Sequence, residues 1–104
     1  MGTDDFLFSN DEIFSISARF SIMLLLYTHK SIGFADLFKL LKMTAGNLNH
    51  HLTKLSEAKY ITTRKMLFPK RPLVIVEITK FGKEAFSNYL SKLHDMLKQL
   101  NMDT

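Results

Sequence analysis

The chain has no cysteine among its 104 residues. That absence excludes disulfides and thiolate metal sites outright and fits a reducing cytoplasm. Long apolar runs are also missing: the longest, Ile22 to Tyr27, falls far short of the ~18 residues that a membrane span requires. The N-terminus carries Asp4, Asp5, Asp11 and Glu12 and reads as untargeted rather than as a basic leader. Catalytic signatures are scarce. There is no glycine-rich phosphate loop, no nucleophile elbow and no acid pair, and Ser, His and Asp occur without a spacing that groups them. The four histidines, His29, His50, His51 and His94, form no H-x-x-x-H pair. Adjacent His50 and His51 would project ~100° apart on a helix and do not clasp one ion. The expectation is a single cytoplasmic domain over 1–104 with no enzymatic role, no cofactor, no metal and no membrane association.

What is present is a core and a field. Hydrophobic residues make up 46% of the chain, enough for one globular core at this length. The net charge of +4 is unevenly spread. Residues 1–38 hold two basic and five acidic groups, residues 39–72 eight and one, and residues 73–104 four and four. A cationic middle third suggests a polyanion, because neutralising phosphates releases counterions and supplies most non-specific affinity. The bland alternative is a lysine-rich surface.

Within that third, Leu48, Leu52 and Leu55 fall at i, i+4 and i+7 and predict a helix with one narrow buried stripe. Thr44 suits its N-cap, and Met43 with Leu48 suits a hydrophobic staple. Opposite the stripe lie Gly46, His50, Thr53 and Glu57, flanked by Asn47, Asn49 and Lys54. Such side chains near a helix N-terminus can read base edges, although an ordinary solvated helix face has the same pattern. Gly46 costs roughly 1 kcal/mol against alanine in a helix but would let another backbone approach closely.

The rest of the chain supplies a setting. Ser9-Asn10-Asp11-Glu12 matches a capping box and predicts a short helix over 10–16, whose Ile13, Phe14 and Ile16 are too many apolar groups for it to hide alone. A second helix from Ala18 to about His29 is apolar around most of its circumference and should be central, with Arg19 either structural or touching a phosphate. Ile32 suits a short strand, and Phe34 to Leu41 a compact helix tightly joined to the next, which makes a helix-turn-helix within 18–58. The period then drops from 3.6 to 2. Tyr60 to Leu67 and Leu73 to Ile78 read as strands around Phe68-Pro69-Lys70-Arg71-Pro72, a hairpin over 60–78 with a basic tip that two prolines stiffen. Last comes a long helix over 80–100, capped by Thr79. Its Phe86, Leu90, Leu93, Leu97 and Leu100, with Tyr89 beside them, follow a coiled-coil-like spacing. The simplest cover for that seam is the same helix in a second copy, and packing on the chain's own Phe20 helix is the alternative.

Taken together, the chain resembles the winged-helix transcriptional regulators of the MarR and ArsR type, most nearly the small archaeal and bacterial group of about this length. The residues that carry the resemblance are Ala18-Arg19-Phe20-Ser21-Ile22-Met23, Phe34-Ala35-Asp36-Leu37, Met43-Thr44-Ala45-Gly46-Asn47-Leu48 with His51-Leu52-Thr53-Lys54-Leu55, Ala58-Lys59-Tyr60-Ile61, Arg71-Pro72, and Glu77-Ile78-Thr79-Lys80-Phe81-Gly82. One departure stands out: Lys59 occupies the place of the usual glycine before the first wing strand. The resemblance implies an α+β, mostly helical fold, a winged helix-turn-helix with a hairpin wing and a long C-terminal dimerisation helix. It also implies a homodimer regulating transcription through double-stranded DNA. Under it, Asn49, His50 and Thr53 face base edges, with Asn49 suited to adenine. Thr44, Gly46 and Lys54, and Arg64, Lys65, Lys70 and Arg71 of the wing, hold phosphates. Asn47 either joins them or bonds the preceding turn. The dimer contacts would be Ile13, Phe14, Ile16, Phe86, Tyr89, Leu90, Leu93, Leu97 and Leu100. Two other readings stay open: a winged helix used only for protein contact, and a regulator answering an unknown small-molecule effector.

Overall fold

The structure, a computed structural model, describes residues 17–68 and 71–102. The helix expected over 10–16, with Ile13, Phe14 and Ile16, and the wing-tip residues Pro69 and Lys70 lie outside the described residues. Among the described residues seven elements follow in order: α1 (Ser17–His29), β1 (Ser31–Gly33), α2 (Phe34–Leu41), α3 (Ala45–Glu57), β2 (Ile61–Phe68), β3 (Arg71–Ile78) and α4 (Lys80–Met102). The sheet is antiparallel in the order β1-β3-β2, with Ile32 opposite Val76 and Thr63 opposite the same residue from the other side. This is a winged helix-turn-helix: α2 and α3 are the helix pair, and the β2–β3 hairpin is the wing.

One core holds the elements together. Ile22, Met23 and Leu26 of α1 meet Leu37 of α2, Leu48, Leu52 and Leu55 of α3, Ile61, Val76 and Ile78 of the sheet, and Phe86 and Tyr89 of α4, all buried. Each such side chain stabilises the fold by roughly 1.5–3 kcal/mol relative to exposure. Because side chains alternate across a strand, Ile61, Thr63 and Lys65 of β2 share the sheet's inner face with Val74, Val76 and Ile78. Thr62, Arg64 and Met66 lie on the outer face with Leu73, Ile75 and Glu77.

Helix α4 corrects one expectation. Phe86 and Tyr89 are not available to a seam between copies, since Phe86 is fully buried and Tyr89 almost so within this chain. The Phe20 ring stands 5.5 Å from Phe86 and 6.1 Å from Tyr89, and Tyr27 meets Phe86 edge-on at 5.6 Å. These two rings face Phe20 and Tyr27 and so join the domain's own core, whereas Phe81 of the same helix is 57% exposed. Beyond them Leu90, Leu93 and Met96 are half-buried, while Leu97 and Leu100 are 52% and 62% exposed. A helix of 23 residues is roughly 34 Å long at 1.5 Å per residue. The molecule measures only 25 Å across its two shorter axes, so the far end of α4 outruns the core.

The helix ends share a feature. Lys30, Lys42 and Lys59, each just past a helix, take left-handed conformations with φ of 70°, 52° and 66°. Lys59 therefore adopts the conformation usually given to glycine. Its N–H bonds Ser56 O at 2.9 Å and the Tyr60 N–H bonds Leu55 O at 3.0 Å, closing α3 in a Schellman motif. A side chain with a Cβ is strained there, but an ammonium suits the negative end of the helix dipole.

Candidate nucleic-acid interface

Helix α3 is positioned from both sides. At its start Thr44 is extended, and its Oγ1 accepts from the Asn47 N–H at 3.1 Å. Met43, just before the cap, packs against the core cluster that holds Leu48. With the leucine stripe facing the core, Gly46, Asn47, Asn49, His50, Thr53, Lys54 and Glu57 are all exposed. The Asn47 bond comes from its backbone, and the side chain stands out toward solvent. A Cβ placed on Gly46 would meet nothing within 4 Å, so no neighbour in the chain demands a glycine there.

Asn49 and Thr53 line a cleft of about 400 Å³ between α3 and the wing, closed on the far side by Thr63 and Val74. Lys65 lies on that same sheet face, two residues farther out. Arg64 does not. Strand alternation turns it to the outer face, where its Nε stands 3.5 Å from Glu77 Oε1. The two neighbours expected to hold phosphates together are thus separated by the sheet. Lys54 stands 3.8 Å from Glu57 one turn along the same helix, in an exposed pair that competes weakly with any other anion. Lys70, and the side chain of Arg71, lie outside what is described; the Arg71 backbone pairs with Phe68 at the end of the hairpin.

A partly buried link fixes α3 from behind. Arg19 of α1 is 7% exposed, and its Nε–H donates to His51 Nδ1 at 3.1 Å. Burial first, then the Arg19 guanidinium and neighbouring His50, lower the pKa of His51 from its ordinary 6.5. The imidazole is therefore neutral near pH 7, with Nδ1 free to accept. His51 was not among the residues read as functional, yet its position gives a signal: it lies three residues after Leu48 and four before Leu55, inside the buried arc. The His50 and His51 rings sit 5.7 Å apart, and among the described residues no group of three His, Cys, Asp or Glu side chains gathers for a metal. Also among them, no helix is long and apolar enough to cross a membrane.

A leucine-striped helix with an open polar face, set beside a hairpin, defines the winged-helix class of DNA-binding domains. The chain belongs to the winged helix DNA-binding domain family, whose model matches residues 18–97. An uncharacterized protein of Methanocaldococcus jannaschii is 36% identical over 89 residues, covering 86% of this chain and 97% of that one. The structure of the transcriptional regulator homologue protein from Pyrococcus horikoshii OT3 is similar at a TM-score of 0.82 and 32% identity, over 88% of this chain and 90% of that one. NadR, solved in complex with 4-hydroxyphenylacetate, shares the fold at a TM-score of 0.64 and 20% identity, over 86% of this chain and 64% of that one. The protein is thus a winged-helix domain of the DNA-binding, transcription-regulator class.

Proposed function

We propose that the protein is a sequence-specific, double-stranded-DNA-binding transcriptional regulator that acts as a homodimer. The observation that carries this reading is the outward face of α3, where seven polar or glycine positions are exposed and none is spent on the protein's own interior. In this reading α3 enters the major groove, Asn49, His50 and Thr53 meet base edges, and Asn47 stands beside them. Thr44, Gly46 and Lys54 approach the backbone. Lys65, Lys70 and Arg71 add wing contacts, and Arg64 contributes only if its pair with Glu77 gives way. Exposed Leu97 and Leu100, continuing from Leu90 and Leu93, support pairing of two copies through α4.

Selection of bound duplexes from a random pool at fixed salt tests the reading, followed by Asn49→Ala. That variant should lose about 1–3 kcal/mol at one base position, whereas Lys70→Ala with Arg71→Ala should weaken all duplexes alike and flatten the salt slope. If no sequence is enriched and binding does not respond to salt, the domain is a protein-contact module instead. In sedimentation, the wild type should be a dimer and Leu97→Glu with Leu100→Glu a monomer. A second reading, a ligand-responsive regulator, is favoured by the fold shared with NadR, a protein solved with a bound small acid.

A further inference from the structure

The wing carries an apolar side chain that the core does not use. Leu67, next to the last residue of β2, is 88% exposed, more than any other large apolar group among the described side chains; Leu100 follows at 62% and Leu40 at 60%. Its register partner on β3 is Pro72, which is exposed as well. Strand alternation puts Leu67 on the sheet face of Thr63 and Lys65, and Thr63 with Val74 walls the cleft beside Asn49 and Thr53. Four residues separate Leu67 from Thr63, roughly 13 Å of strand at about 3.3 Å per residue. The leucine thus stands beyond the cleft on the side of the sheet that carries α3.

Its presentation suits contact. The β2–β3 ladder runs without a bulge from Ile61 opposite Ile78 to Phe68 opposite Arg71, and the ring of Pro72 fixes its own φ. Backbone already ordered in this way loses little freedom on docking. Lys65, two residues inward on the same face, is exposed and forms no ion pair among the described residues. An apolar tip behind which a free cation stands matches a surface of the inverse pattern, phosphates along a rim with stacked apolar rings between them. The groove of a duplex is such a surface, and this face of the wing continues the face that holds Asn49 and Thr53.

We propose that Leu67 is an apolar wedge that enters the minor groove beside the major groove occupied by α3, where its isobutyl group parts a base step and bends the duplex. A leucine satisfies no base hydrogen bond; it acts by replacing part of the stacking of one base on the next. Lys65 meets the phosphate rim behind it. The step opens most cheaply where stacking is weak and deformable, at TpA and CpA, so the wing adds a sequence preference at positions that α3 does not touch. This rests on the DNA-binding reading and adds to it a residue that deforms the DNA.

The test uses the full chain and two duplexes of equal length, one of alternating A and T, rich in TpA steps, the other a continuous A tract, which is stiff and has none. Both offer the same minor-groove acceptors, so a change in their relative affinity reports deformation. Each carries 2-aminopurine, which brightens when unstacked, and a dye pair on its ends. The wild type should brighten the alternating duplex and draw its ends together. Leu67→Ala should abolish both signals and shift the affinity ratio toward the A tract by about tenfold, with salt slope and thermal midpoint unchanged. Leu67→Met, which keeps an apolar wedge, should retain them. The wedge is overturned if the wild type binds without brightening either duplex, or if Leu67→Ala leaves the ratio where it was; salt-dependent binding in those cases keeps the DNA-binding reading intact. It is also overturned if Leu67→Ala loses affinity for phosphatidylglycerol vesicles and none for duplexes, since the tip would then be a membrane contact. A wild type that binds neither duplex at any salt sinks the DNA-binding reading, and the wedge with it.

Discussion

Helices α3 and α4 begin with the same chemistry. Each opens on a threonine whose Oγ1 accepts from the third amide of the helix, Asn47 N–H to Thr44 at 3.1 Å and Gly82 N–H to Thr79 at 2.8 Å. Each places a glycine in that first turn. Their surroundings are opposite. Gly46 faces open space, while a Cβ on Gly82 would run into the Tyr60 carbonyl. The Thr44 cap is exposed, whereas the Thr79 hydroxyl proton lies between Lys59 O at 2.7 Å and Tyr60 O at 3.1 Å, and the Thr79 N–H bonds Tyr60 O at 2.9 Å. One helix start is built into the fold and the other is presented outward. A glycine that the fold requires and a glycine that it merely tolerates look alike in sequence. The second kind carries a cost that no neighbour among the described residues offsets.

The contrast can be broken by substitution. Gly82→Ala should have the largest effect, destabilising the domain by about 1–3 kcal/mol because the carbonyl it meets is backbone and cannot rotate aside. Denaturant unfolding measures it, and a neutral result would mean that the junction of α4 with the Tyr60 turn is loose. Thr79→Val comes next at about 1–2 kcal/mol, with Thr44→Val nearer the lower end of the capping range, about 0.5–1 kcal/mol; equal losses would erase the distinction between the two starts. Gly46→Ala should do the reverse of its counterpart, stabilising the free protein by up to about 1 kcal/mol while weakening duplex binding in a mobility shift. A more stable protein with unchanged binding would remove Gly46 from the interface.

The smallest effect concerns the support behind α3. Because the His51 pKa is held below the ordinary 6.5, the folded state binds fewer protons than the unfolded chain in the window below that value. Stability should be fully present above pH 6.5 and decline as pH falls through the folded pKa, when protonation removes the acceptor from Arg19 and sets two cations together. Unfolding midpoints between pH 7.5 and roughly 5 should fall less steeply in His51→Gln, whose amide oxygen accepts at any pH; an identical slope would mean that the Arg19 link contributes nothing.

Much of the fold was legible because it rests on period. The leucine spacing placed α3 within a residue at either end, and the change to alternation placed both wing strands within two. The arcs of helices and the faces of strands follow from geometry that every residue obeys locally. The reading was less complete where two distant elements compete for one side chain. Phe86 and Tyr89 fit a seam between copies as well as a core, and only the position of Phe20 and Tyr27 assigns them. Arg64 and Lys65 read as one basic pair until pairing with β3 turned them to opposite faces. Arg19 and His51, 32 residues apart, had no sequence signal for their bond beyond the buried arc on which His51 falls.

The order of residues alone therefore determined which segments are helical or extended, which of their faces is apolar, where the helices are capped, and that the middle third is cationic. These are properties of neighbours a few positions apart. Tertiary structure decided which glycine is needed, which aromatic rings the core takes, and which charges are paired. Those depend on distances between elements, and such distances are set by packing that no single segment contains.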